Sequence, residues 1–365
     1  MEIEIDRKAF AGALASVQKI TSKRLAFAAS SCVLLSTREG HVRIEANDLT
    51  IASTCWRDAN IKRAGNAAVP ARELYEVVRS MPSERVRLSA GEGKLHVQSG
   101  KRRFELACID ASEFPGFPGP DAKAQQIKLT AGVIRRLLHR THYASSHDET
   151  RAHLNGVMLE VRQDNVRMVA TDGHRLALAD AAHSSRTKLN VLMPERCVAE
   201  LEAALAAAPH DEVVELTVSS KTIHCTTDSH VLGCKLGEYA FPAYDRVIPT
   251  EEGRVVEVDR QALAESLAAV RVAADSTAQV LFAVDRGALR LRAESVGEKA
   301  GEDELDVSYD GERFEIALNA AYVLDVLRAL GGKRVRLHVL SERDPVRIVD
   351  PEDPSVLAIV MPMRR

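Results

Sequence analysis

The side chains best suited to chemistry crowd into one stretch of this chain. His139, His142, His147, Asp148 and His153 form a local cluster, and Asp172 and His174 lie just beyond it. Imidazole and carboxylate bind divalent metals and can activate a bound water, so a metal-dependent phosphodiesterase or nuclease could be assembled from these residue types. The spacing does not favour it. His139 and His142 stand three apart on a helical pattern that no Glu base follows, and no further ligand spacing is diagnostic. No Walker sequence, Gly-x-Ser-x-Gly elbow or Rossmann glycine pattern is present. The six cysteines, Cys32, Cys55, Cys108, Cys197, Cys225 and Cys234, contain no Cys-x-x-Cys pair and read as reduced, buried thiols. Neither a metal, a cofactor nor a catalytic residue is expected, and the nuclease stands only as the alternative.

The elements that would carry any site are stated three times. Ile3-Glu4-Ile5-Asp6 opens onto Phe10, Leu14 and Val17; Ile127-Lys128-Leu129-Thr130 onto Ile134 and Leu138; Val256-Glu257-Val258-Asp259 onto Leu263, Leu267 and Val270. Each is an alternating strand, an Asp or Thr cap, then the apolar face of an amphipathic helix. The caps lie 124 and 129 residues apart, so the repeat is a domain and not a solenoid unit. Pro70, Pro194 and Asn319 start a second helix in each repeat, spaced by 124 and 125. Proline suits that position because its missing N–H has no intrahelical partner there. Val42 to Asp48 matches Val166 to Asp172 at the same offset, with a looser match near Leu289 to Glu294. Between helices lie alternating runs such as Val86-Arg87-Leu88 and Val335-Arg336-Leu337-His338-Val339, which read as antiparallel strands. The expected fold is therefore α+β: three repeated domains over residues 1–120, 121–250 and 251–365, each with two helices on antiparallel sheet. Pro and Gly cluster at both boundaries, near Phe114 to Pro120 and Pro249 to Gly253.

Hydrophobic residues at 45% suffice for three cores, and no apolar run approaches the roughly 18 residues of a membrane span. The acidic, alternating amino terminus is unlike a signal peptide, and a cytoplasmic location is expected. The net charge of −3 hides a gradient. Lys and Arg exceed Asp and Glu by 4 over residues 1–120, whereas acids exceed bases by 1 over 121–250 and by 6 over 251–365. A basic first domain and an acidic third suit head-to-tail association, which closes into a ring or runs on as a filament. Lys101-Arg102-Arg103 before Phe104-Glu105-Leu106, and the acidic stretch Glu294, Glu298, Glu302, Asp303 and Glu304, are the segments where the two ends would meet.

Five stretches complete the pattern: Leu154-Asn155-Gly156, Val169 to Ala177, Phe241 to Pro249, Asn319 to Leu327, and Val360-Met361-Pro362-Met363-Arg364. In this order, on a three-domain repeat of this length, they resemble the β sliding clamp of bacterial DNA polymerase III from the first strand to the last residue. The resemblance implies a non-catalytic homodimeric ring, head to tail, that encircles duplex DNA without reading its sequence. It implies a processivity factor that recruits the polymerase III core, the clamp loader, other polymerases and repair factors by short linear motifs. Those peptides would dock between Leu154, Thr171, Gly173, His174, Arg175, Leu176, Pro242, Arg246 and Val247 and, from the third domain, Asn319, Tyr322, Val360, Met361, Pro362 and Met363. Leu, Val, Pro and Met suit an adaptable apolar floor, and Gly173 a turn closed to a Cβ. Lys23, Arg24, Arg136, Arg140, His153 and Arg196 would meet DNA, and Lys101, Arg103, Phe104, Leu106, Val270, Glu298 and Glu302 would form the dimer joint. The helices would line the hole, with Lys8, Lys19, Arg260, Arg271 and Arg328 among their cations.

The chain departs from the family at Leu25-Ala26-Phe27-Ala28, where prolines are common, at Ala152-His153 in place of a Tyr-Tyr pair, and at Arg343, commonly apolar. These leave open a main replicative clamp or a specialised second one.

Overall fold

The computed structural model describes residues 1–21, 28–185, 187–295, 297 and 299–364. Lys23, Arg24 and Glu298 lie outside the described residues.

The threefold pattern is visible in the element order. The first repeat runs β1 (Glu2–Asp6), α1 (Arg7–Val17), β2 (Cys32–Arg38), β3 (His41–Asn47), β4 (Ile51–Arg63), β5 (Asn66–Pro70), α2 (Ala71–Ser80), β6 (Arg85–Gly91), β7 (Lys94–Ser99), β8 (Arg102–Ala107). The second runs β9 (Gln125–Thr130), α3 (Ala131–Thr141), β10 (Gly156–Val161), β11 (Asn165–Thr171), β12 (Arg175–Ala182), β13 (Leu189–Pro194), α4 (Glu195–Leu205), β14 (Val213–Val218), β15 (Thr222–Thr226), β16 (His230–Lys235). The third runs β17 (Arg254–Asp259), α5 (Arg260–Val270), β18 (Gln279–Asp285), β19 (Ala288–Ser295), β20 (Lys299–Ser308), β21 (Phe314–Asn319), α6 (Ala320–Ala329), β22 (Arg334–Val339), β23 (Val346–Asp350), β24 (Asp353–Val360).

Local sequence explains the helix starts. Asp6 and Asp259 accept the N–H of Ala9 and Ala262, each at 2.8 Å, and Asn319 accepts from Ala321 and Tyr322. Pro70 starts α2 without a side-chain cap. The expected apolar positions are inward: Phe10, Leu14, Val17, Ile134, Leu138, Leu263 and Leu267 are fully buried, each contributing about 2 kcal/mol by removal from water. Five of the six cysteines are buried, and all six are free. Burial pushes the Cys55 thiol up to about 11, so it stays protonated and unreactive.

Strand pairing cuts across the repeat. The chain forms two compact units, Met1–Gly132 with Ala199–Gly237, and Val133–Val198 with Glu238–Arg365. Each holds twelve sheet strands among the described residues. In the first unit β4 of the first repeat pairs antiparallel with β16 of the second, Ala52 opposite Gly233 and Ile51 opposite Cys234. In the second unit β12 of the second repeat pairs with β24 of the third, Leu176 opposite Ile359 and Arg175 opposite Val360. The middle repeat thus gives β9 and β14 to β16 to one sheet and β10 to β13 to the other. No helix among the described residues is long and apolar enough to cross a membrane.

The first seam contains a buried titratable contact. His230 on β16 meets the Ser53 hydroxyl on β4 at 2.7 Å, and burial, aided by the nearby Arg57, lowers its pKa to about 4. The unfolded chain binds a proton near 6.5 while the folded one does not, so between these values the unfolded state holds more protons and stability falls as pH falls. Urea unfolding should therefore show a loss of about 2 kcal/mol from pH 7 to pH 5 assignable to this residue. His230→Gln should flatten that part of the pH dependence; an unchanged slope would remove the histidine as its cause.

Candidate functional site

The second seam supports the richest cluster of polar contacts in its unit. Between β11 and β12 the chain turns through Thr171-Asp172-Gly173-His174. Asp172 Oδ1 accepts the N–H groups of His174 and Arg175 at 2.9 and 3.0 Å, and the Thr171 hydroxyl donates to the Arg175 carbonyl at 2.6 Å while accepting from Gly173 N–H. Gly173 sits at φ +89°, and a Cβ there would also lie 3.0 Å from the Arg151 guanidinium. The expectation that this turn is closed to larger side chains therefore has two physical causes. The seam runs on past β24, where Met361 N–H donates to the His174 carbonyl at 2.8 Å.

Arg175 is the hub. Its side chain is only 10% exposed, and its guanidinium reaches Asp172 at 3.0 Å and Asp325 on α6 at 2.6 Å. It also lies 4.5 Å from the Tyr322 ring centre and 5.6 Å from that of Tyr143. His174 stacks on Tyr322 as well, with ring centres 6.4 Å apart. One cation thus joins the central repeat's turn to the third repeat's second helix, and both carboxylates it needs are supplied. Burial raises the pKa of Tyr143 and of Tyr322, so both rings are neutral phenols at any ordinary pH.

The segment leading into the third repeat closes the site. Tyr244–Val247 makes a single 3-10 turn, and Tyr244 joins Val169, Leu176, Leu178 and Ile359 in a small hydrophobic cluster against the seam. Beside it opens a cavity of about 250 Å³ lined by His153, Leu154, Thr171, Gly173, Arg175, Leu176, Pro242, Ala243, Tyr244, Val247, Ile359 and Met361. Its surface is mostly carbon, and its one full charge is the already paired Arg175. Such a cavity suits apolar side chains of a peptide better than a charged substrate. Of the histidines that could have built a metal site, His142 and His147 lie 3.7 and 3.9 Å from Glu195.

Comparison with known proteins decides the lineage of this arrangement. The DNA polymerase III beta subunit profiles match in series: the N-terminal domain over residues 1–118, the central domain over 128–243 and the C-terminal domain over 245–364. The chain belongs to the DNA polymerase III beta subunit family. It is 32% identical over 374 residues to a beta sliding clamp of Caulobacter vibrioides, covering 100% of both chains. A crystal structure of the Pseudomonas aeruginosa DNA polymerase sliding clamp with ligand superposes with a TM-score of 0.95 at 28% identity over 100% of both chains. A Bartonella birtlesii sliding clamp bound to griselimycin matches equally, at 0.95 and 31% over 100% of both.

Of the pocket residues that the beta subunit resemblance implies, Leu154, Thr171, Gly173, Arg175, Leu176, Pro242, Val247 and Met361 line the cavity. The others are not among its lining residues. Val360 is fully buried in the seam, and Asn319 caps α6. Met363 N–H bonds to the Ala317 carbonyl, with Pro362 between it and Met361. Arg246 is exposed on the 3-10 turn, and His174 and Tyr322 stack on each other. Sequence reasoning assigns no role to Tyr244, Ala243 or Ile359, nor to Asp325. Tyr244 and Asp325 lie inside the family stretches, and a lone acid on the otherwise apolar face of α6 is the available signal.

Four expectations meet a different geometry. Arg140, expected at DNA, is bound to Asp353 at 2.5 Å and Ser355 at 3.1 Å with its side chain 12% exposed, so its charge is used inside the fold. Arg260, expected among the lining cations, donates to the carbonyls of Gly332 and Leu327. His153, expected at DNA, is exposed and lines the apolar cavity. Val270, expected at the joint between chains, is 4% exposed because it ends the inward face of α5; the exposed apolar residue is Val272, at 71%. Arg136 and Arg196 are exposed on their helices.

Removing the hub should leave two acids facing each other in a poorly solvated place. Arg175→Ala should cost about 3 kcal/mol of unfolding free energy, and Arg175→Lys should restore less than half, since one ammonium cannot bridge both carboxylates and stack on Tyr322. Urea unfolding followed by circular dichroism tests this, because the single tryptophan, Trp56, lies in the other unit. A loss under about 1 kcal/mol for the alanine variant would show that the hub is not structural.

Proposed function

We propose that this chain is a DNA sliding clamp: two copies close head to tail around duplex DNA, tether the replicative polymerase, and dock its partners' peptides in the cavity at the second seam. One observation carries the reading. Each seam inside the chain joins the fourth strand of one repeat to the eighth strand of the next, β4 to β16 and β12 to β24. The pattern leaves one fourth strand, β20, and one eighth strand, β8, and both keep an open edge. β8 pairs only with β7, and β20 meets β17 only at Val307 and Ser308, which leaves Lys299 to Asp306 open on that side among the described residues. Open edges seek partners.

The two edges are complementary. β8 carries Arg102 and Arg103 beside Lys101, with Phe104 at 38% exposure and Leu106 half-buried, whereas β20 carries Glu302, Asp303, Glu304 and Asp306. One chain's β8 on another's β20 repeats the internal seam a third time, and doing so twice closes a two-chain ring. A backbone ladder gives the affinity, and opposite charge gives the direction. A ring also answers the net charge of −3. Tight electrostatic binding to DNA needs many phosphate contacts, whereas a sliding ring needs few and is held by topology. Exposed cations on the helices, Lys8, Arg136 and Arg196, with Lys19 just past α1, suffice for weak contact. Domain limits of 1–120, 121–250 and 251–365 describe the repeats, and we place the protein in the cytoplasm, with the chromosome.

Sedimentation should give a species near twice 39.9 kDa, and Phe104→Asp should shift it to 39.9 kDa. Loaded on circular DNA, the dimer should remain bound in high salt and leave when the circle is cut. Equal release from closed circles would overturn topological binding. For the cavity, griselimycin, bound by the Bartonella birtlesii relative, is a ready probe. It should bind one per chain, and Met361→Arg should weaken it by at least about a hundredfold by filling an apolar cavity with a charge.

A further inference from the structure

The cavity's outer wall is the segment Pro242 to Val247, a linker with a single 3-10 turn and no sheet partner. Isolated turns of this kind are the mobile parts of a fold. Here one side chain pins it. The Tyr244 hydroxyl donates to Glu160 Oε2 at 2.9 Å in a buried contact, and accepts from Arg162 and Arg167 at 3.2 and 3.4 Å. Glu160 is itself held by Arg162 at 2.7 Å. Arg167 is locked in turn by two bonds of 2.8 Å to Asp180, which Asn165 also reaches at 3.0 Å. The Tyr244 residue is 5% exposed, packs edge-on against Phe241 at 6.2 Å, and presents a face to the cavity.

We propose that Tyr244 is a positioning residue for the peptide pocket, and that its hydroxyl, through Glu160 and Arg167, holds the linker wall in its binding shape before any partner arrives. The inference rests on the pocket reading above. A wall that is preset loses little freedom when a peptide binds, so affinity is gained without any added contact. The anchor lies on β10 and β11, outside the lining of the cavity, so residues that never touch a partner would set how tightly partners bind. Burial first, and then the Glu160 carboxylate, raise the phenol's pKa against the opposing pull of Arg167, so it stays protonated and able to donate.

Griselimycin binding by calorimetry and by stopped-flow dissociation tests the inference. Tyr244→Phe keeps the ring and the cavity, and should weaken binding about tenfold, mainly through faster dissociation, at unchanged stoichiometry and with only the modest fall in urea midpoint that one lost buried hydrogen bond brings. Glu160→Ala, which also releases Arg162, should weaken binding at least as much, and Tyr244→Phe with Glu160→Ala should be no weaker than Glu160→Ala alone, because both remove the Tyr244–Glu160 bond. Glu160→Gln, whose carbonyl still accepts, should stay within about threefold of the parent. Parent affinity in Tyr244→Phe, or losses that add in the double variant, would overturn the positioning role while Met361→Arg still abolishes binding. Undiminished binding in Met361→Arg would instead overturn the pocket reading itself.

Discussion

The constraint on which this molecule rests is that a sheet edge leaves a row of backbone N–H and C=O groups that must find partners. Each repeat resolves it by offering its eighth strand to the fourth strand of the repeat before. The two compact units are the consequence, since the middle repeat's strands pair across the seams into two separate sheets. The same pattern leaves the last fourth strand, β20, and the first eighth strand, β8, without a seam partner among the described residues. In the proposed ring these two open edges meet, with the charge gradient from the first repeat to the third giving the contact its direction.

A seam made of backbone alone would be a weak hinge in the side-chain layer, and Arg175 removes that weakness at the second one. Its guanidinium spans from Asp172 in the turn to Asp325 on α6, with Tyr322 stacked beneath. Arg140 does similar work from the end of α3, reaching Asp353 at the start of β24. Both arginines join the central repeat to the third, and both are largely removed from solvent with carboxylate partners in place, the condition under which a buried charge is tolerated. Lysine could not replace either geometry, because each arginine serves two acceptors at once.

Much of this was legible in the sequence, for identifiable reasons. The helix faces came from apolar residues at four, eight and eleven beyond Asp6 and Asp259, because a 3.6-residue period has one inward side. The glycine at 173 was legible because only a positive φ and a crowded Cβ call for it. The seams were not: nothing in the alternation of β4, β12 or β20 names the strand across from it, since pairing choice is tertiary. The fate of Arg140 was hidden for the same reason. Its partner Asp353 is 213 residues away along the chain, and an arginine facing phosphate and one facing a carboxylate read alike.

The two internal seams explain why equal scaffolds carry unequal sites. Asn47-Asp48-Leu49-Thr50 repeats the turn at Thr171 to His174: Asp48 Oδ1 accepts from Thr50 and Ile51 at 2.9 and 2.8 Å, and Leu49 adopts φ +75° where Gly173 has +89°. Leucine tolerates this strained backbone only because it points outward, 39% exposed, with no neighbour like Arg151 over it. Beyond the turn the two seams diverge. At the first seam the residue opposite Ala52 is Gly233, and the linker's Phe117 lies so close upon it that a Cβ would meet the ring at 2.7 Å. Phe117 is fixed there by an edge contact with His224, whose ring also bonds the Pro118 carbonyl at 3.1 Å. At the second seam the equivalent pair is Leu176 and Ile359, and the linker's Tyr244 packs on both of them. Tyr244 then turns towards Glu160 and leaves a space lined by leucine, isoleucine and methionine. Gly233 gives Phe117 room at the first seam, whereas at the second Leu176 and Ile359 carry the Tyr244 ring beside the cavity.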